Sequence, residues 1–155
     1  MKSTSLLIMV LLLVMLPFTS TVAGEHDGMG HMMHHQTQTI DDPRTSLGLS
    51  PDMKQHQLTN MRSHVEAVQL IVGMLAEGEY ANAAQVAHSR LGLTDKMNKM
   101  CNMFDNGDFK ALGLAFHKSG DTLGDILQTK DLKKSLTALH ETMGYCVQCH
   151  SKFRQ

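Results

Sequence analysis

The sequence predicts an all-α protein, an antiparallel four-helix bundle, on three observations. From position 50 onward the apolar residues recur at alternating steps of three and four, the spacing that lays one stripe along a helix. The amphipathic stretches are separated by short connections rich in glycine, asparagine and aspartate, which favours antiparallel neighbours. No segment sustains the period of two that a half-buried strand requires, and no repeat stands out.

Residues 1–24 read as a secretory signal. Lys2 is the charged start, residues 6–16 are an apolar run, Pro17 breaks it, and Thr21-Val22-Ala23-Gly24 offers small residues for cleavage after Ala23 or Gly24. The run is short for a membrane span, so no stable anchor is expected after cleavage. Residues 25–49 carry few large apolar side chains and read as a flexible tail. Four of the ten histidines and three of the thirteen methionines fall within residues 25–35, a composition that cannot bury a core.

Residues 50–155 form the predicted bundle domain. Ser50 caps the first helix with Pro51 in its first turn. Leu58, Met61, Val65, Val68, Val72 and Leu75 form its expected core stripe, and Gly78 ends it. The second helix sets Tyr80, Ala84, Ala87 and Leu91 on one face, and Gly92 stops it. Residues 94–104 are expected as a short helical turn before Asp105-Asn106-Gly107-Asp108. The third long helix carries Phe109, Leu112, Phe116, Leu123 and Ile126, with Ser119 filling one position. Asp131 starts the last helix, whose stripe is Leu132, Leu136, Leu139, Met143, Cys146, His150 and Phe153.

That last stripe runs into Cys146-Val147-Gln148-Cys149-His150, a Cys-x-x-Cys-His sequence. Two thiols at this spacing can add across the two vinyl groups of a porphyrin, and the adjacent imidazole can then reach the iron. The five residues are therefore read as attachment site and proximal ligand of one covalent haem c. Competing readings are weaker. A thioredoxin-like pair expects a βαβ setting, and a structural zinc site needs four ligands, whereas the remaining cysteine, Cys101, lies in another segment. Cys101 is expected to be buried among Met97, Met100 and Met103, with a soft-metal site second. Because Cys146 and His150 share the stripe of Leu139 and Met143, the haem is expected to slot among the helices, with Cys149 toward the flank. Export agrees with the motif, since c-type haem is attached outside the bacterial cytoplasm. This places the protein in the periplasm.

Charge adds only exclusions. The chain has 14 basic and 15 acidic residues, and only Lys2 falls in the leader. That balance gives no case for nucleic acid or an anionic membrane surface. No acid–base pair or nucleophile accompanies the motif, so an enzyme is not expected.

Helices of this pattern, with Cys146 to His150 at the C-terminal end and Phe153-Arg154 after them, resemble the cytochrome c-prime family, the class II c-type cytochromes. The resemblance covers residues 50–155. It implies that Arg154, a basic residue one turn after His150, sits near the ligand imidazole and tunes the haem. It also implies that the first helix sets the sixth iron position. Counting back from Gly78, that position falls on Met61 or Arg62, and heptad phase selects Met61, with Met53 and His56 as competitors. Relatives are frequently dimers packed through their first two helices, so a homodimer is possible.

The expected function is thus one-electron transfer with periplasmic redox proteins, the iron held by His150 and Met61. One alternative is a gas-binding protein taking nitric oxide or carbon monoxide at an open or weakly held sixth position. Another is copper handling by the tail, where His26, His31, His34 and His35 accompany Met29, Met32 and Met33. Imidazoles and thioethers suit both copper oxidation states, and cleavage after Ala23 would add a Gly24-Glu25-His26 terminal chelate. His64 is expected at a polar flank, and His88, His117 and His140 at the surface.

Overall fold

A computed structural model describes residues 41–155. The expected signal sequence with its candidate cleavage sites, and the expected tail up to residue 40 with all the copper candidates, lie outside the described residues. The described chain is mostly helical, as the sequence predicts. The elements are β1 (Thr45–Ser46), α1 (Pro51–Ala76), α2 (Tyr80–Val86) continued by a π turn (Ala87–Leu91), α3 (Asp95–Asn102), α4 (Gly107–Leu127), α5 (Leu132–Lys152) and β2 (Phe153–Arg154).

Each boundary has a local cause. The Ser50 hydroxyl accepts from the Met53 amide at 3.3 Å, Asn106 Oδ1 from Phe109 at 2.9 Å, and Asp131 Oδ1 from Lys134 at 3.0 Å. These bonds satisfy amides that a helix start leaves without partners. At the far end of α1, Gly78 takes φ +73°, and the Glu79 amide donates back to the Met74 carbonyl at 2.8 Å. This is the left-handed closure that glycine alone accepts without strain.

The core lies where α1, α2, α4 and α5 meet, around Ile71, Leu75, Leu91, Phe116, Leu123, Leu127 and Leu139. α4 packs along α5, and α2 with its π turn packs on both α1 and α4. α3 leans on α4. By contrast α1 and α5, the two helices carrying the predicted iron ligands, barely touch.

The buried stripes are rotated from the predicted ones. On α1 the buried residues are Gln57, Ala67, Ile71 and Leu75, while Val65 is 70% and Val72 50% exposed. On α5 they are Ser135, Ala138, Leu139 and Thr142, while Leu132, Leu136 and Met143 are nearly half exposed. Heptad reading follows large apolar side chains. Here the closest helix faces meet through alanine, glycine and serine, which let backbones approach, and Val65 and Met143 turn instead toward a cavity.

Gly120 marks a close approach of α4 to the backbone of the π turn. A β-carbon there would stand 2.5 Å from the Leu91 carbonyl oxygen, whereas one at Gly73 would meet nothing within 4 Å. Gly120→Ala is therefore expected to cost about 1–3 kcal/mol as overpacking, lowering the thermal midpoint by about 5–15 °C. Gly73→Ala is expected to be neutral or mildly stabilising. Equal midpoints for the two variants by circular dichroism would contradict this packing.

Two short strands tie the ends together. β1 and β2 pair in parallel, Thr45 opposite Phe153 and Ser46 opposite Arg154. Residues 45–46, which composition placed in the tail, are thus attached to the fold. No described helix is long and apolar enough to cross a membrane.

Candidate functional site

The gap between α1 and α5 is a cavity of about 270 Å³, lined almost entirely by apolar surface. α5 contributes Cys146, Cys149 and His150, and α1 contributes Met61 and His64. Phe116 and His117 of α4, with Met97, Met100 and Cys101 of α3, form its floor. The pentapeptide and the α1 methionine thus share one cavity, although Met61 is only half-buried and Arg62 is exposed. Met53 and His56, the competitors of Met61, do not line it.

Both thiols of the motif are free and half-buried. Cys149 does not sit aside on a flank: it lines the cavity with Cys146. Burial pushes both thiols above their ordinary range, so they are held as neutral S–H groups. Cys101 is buried, with its thiol raised by the same cause. Met97 and Met100 share its wall, but Met103 is 62% exposed.

Arg154 departs from its expected setting. α5 stops at Lys152 and Phe153 is already extended, so Arg154 is not one helical turn beyond His150. Its guanidinium faces Asp42 with Nε 4.0 Å from the carboxylate, at the rim of the cavity. Phe153 terminates the helix because its ring is buried edge-on against Phe109, centroids 5.3 Å apart.

Two histidines change character. His117 is not a surface group but only 5% exposed, and its Nδ1 lies 2.8 Å from the Leu91 carbonyl. A carbonyl can only accept, so Nδ1 carries the proton and neutral His117 keeps its lone pair on Nε2. His64 lines the cavity, its ring 4.9 Å from Phe116 and 5.4 Å from His117. Gly113, Gly120 and Gly124 at helical spacing mark the close-packed face of α4, and His117 lies within it; that was the available signal. His88 also has partners, Asp121 at 3.2 Å and Asp125 at 3.4 Å, while His140 is exposed.

Burial, with smaller contributions from His117 and Arg90, lowers His64 from its ordinary 6.5 to about 4. His117 is lowered chiefly by burial as well. The sign follows directly. Below about pH 6.5 the unfolded chain binds a proton that the folded chain refuses, so stability falls with pH until about pH 4. His64 by itself contributes at most about 3 kcal/mol to this loss, and His117 adds to it in the same direction. Urea unfolding of the haem-free protein at pH 7 and pH 4.5 is expected to show the drop, reduced in His64→Leu. A midpoint that rises on acidification would contradict the burial of these imidazoles.

The donor set suits a c-type haem: two thiols and an adjacent imidazole on one wall, a thioether and imidazoles across from them, and apolar lining between. Among the described residues no three His, Cys, Asp or Glu side chains, those of the motif included, converge closely enough to hold a bare metal ion. Comparisons with protein-family models, curated proteins and solved structures find no match to this chain.

Proposed function

We propose that the protein is an exported c-type cytochrome of a four-helix-bundle type, carrying one covalent haem and transferring single electrons to and from periplasmic redox partners. The observation that carries this reading is the convergence of Cys146, Cys149, His150 and Met61 on one apolar cavity. The backbones of α1 and α5 come close at few positions, and this supports the reading because it leaves room for a group in the cavity that both helices line. The haem, once bound, supplies a one-electron iron couple.

The chain's residues do the rest. Cys146 and Cys149 anchor the group by thioether bonds, and His150 provides the proximal nitrogen. Met61 would hold the iron as well, a thioether that would raise the potential and leave no open position for other chemistry. Val65, Val68, Phe116 and Met143 exclude water from the slot, which disfavours added charge. Resemblance to the class II cytochromes agrees with this arrangement.

A second reading, reversible binding of nitric oxide or carbon monoxide, gains from one observation. His64 lies one turn beyond Met61 on the same wall, in neutral form and thus able to offer an N–H to a bound ligand. That reading requires Met61 to pack without ligating. Oxidised and reduced absorption spectra of the haem-loaded protein separate the two: low-spin spectra favour the carrier, and high-spin spectra with rapid carbon monoxide uptake favour the gas binder.

A further inference from the structure

The motif ends where residues 42–47 meet the fold. Arg44 Nη1 donates to the carbonyl of His150 at 3.2 Å, across 106 residues of sequence. That carbonyl lies in the last turn of α5, where acceptors lack helical partners. Its usual acceptance from the residue four places on is lost because Arg154 is extended.

Arg44 is itself held. Asp42 accepts from its Nε at 2.9 Å and from its Nη2 at 2.7 Å, a two-pronged pairing that fixes the guanidinium plane. The same contact holds the Asp42 carboxyl down at about 2, so the pair stays ionised at any ordinary pH. Just beyond, β1 pairs with β2, and the Leu47 amide donates to the Arg154 carbonyl at 3.0 Å. Lys54 Nζ reaches the Gln155 carbonyl at 3.4 Å. Leu47 also lines the cavity beside Phe153.

We propose that residues 42–47 are a strap that positions the haem-ligating His150, with Arg44 as its positioning residue. The strap does so by holding the His150 peptide group and the β2 segment that follows. This rests on the haem reading above. Arg44 touches the backbone of the proximal ligand rather than its ring, so its effect is on the ligand's orientation and freedom. Asp42 offsets its charge, so orientation outweighs field.

The test uses full-length, haem-loaded protein and three variants: Arg44→Ala, Arg44→Lys and Lys54→Ala. Two readouts are taken, hydrogen exchange at the Leu47 amide and the ferric electron paramagnetic resonance signal with the midpoint potential. Arg44→Ala is expected to speed Leu47 exchange at least tenfold, broaden the ferric signal and shift the potential. Arg44→Lys is expected to recover part of both. Lys54→Ala, which frees only the last residue, is expected to change the haem signals least. Faster exchange with an unchanged ferric signal and potential would reduce Arg44 to a structural tie and overturn the proposal, as would unchanged exchange. A wild-type chain that takes up no covalent haem would instead end the underlying haem reading, and it is recognised before any variant is made.

Discussion

His150→Ala, produced in a host that matures c-type haem, is expected to lose nearly all low-spin haem absorbance. His150 is the imidazole adjacent to the two thiols, at the end of α5 where its carbonyl is tied to Arg44. Without it α5 would offer the proposed haem no imidazole beside the two thiols. His64 and His117 stand elsewhere on the cavity wall, fixed on other helices, and cannot follow the thioethers. Cys146→Ala or Cys149→Ala is expected to leave at most one thioether, seen as a shifted α-band in the reduced pyridine adduct. The helical fold should survive these changes, because Cys149 and His150 lie outside the core around Ile71, Leu91 and Leu123 and Cys146 is only partly buried against it. Circular dichroism distinguishes lost ligation from lost folding. A His150→Ala protein with a wild-type reduced spectrum would remove His150 as the ligand.

Met61→Leu is the second large expected effect. The exchange conserves volume and apolarity, so its packing cost should be about 1.5 kcal/mol or less. If the thioether holds the iron, its loss moves the ferric protein from low to high spin and lets the ferrous protein bind carbon monoxide readily. His64→Leu provides the comparison. It sits one turn away in the same cavity and carries the other soft-to-borderline donor of α1 that lines it. Under the proposed arrangement His64→Leu keeps the low-spin state. A spin change in His64→Leu and none in Met61→Leu would assign the sixth position to imidazole, and high spin in the unmutated protein would support the gas-binding reading.

Much of this was legible in the sequence, for reasons that can be traced residue by residue. Helix starts were readable because Ser50 and Asp131 act through a local bond to an amide three residues on. Gly78 was readable because its φ excludes most other residues. That Cys146, Cys149 and His150 line one cavity was readable because the three lie within five consecutive positions of one helix.

What escaped depends on contacts far apart in sequence. The rotation of the core stripes goes with the burial of Ala67 on α1 and of Ser135 and Ala138 on α5. Small residues carry little weight in a hydrophobic pattern, yet they decide which face packs. His117 was assigned to the surface because its partner, the Leu91 carbonyl, belongs to a π turn that no periodicity announces. The strap was hidden because residues 41–46 are mostly polar, and their attachment rests on backbone pairing and the Arg44–His150 bond.

The central claim is that this cavity holds a haem bonded to Cys146 and Cys149. Its most direct test is the intact mass of the purified protein after denaturation and acid–acetone extraction. The account predicts a chain heavier by one haem, with the increment retained through extraction and mapped to the peptide containing both cysteines. A chain at its unmodified mass, with free haem in the organic phase, would contradict it.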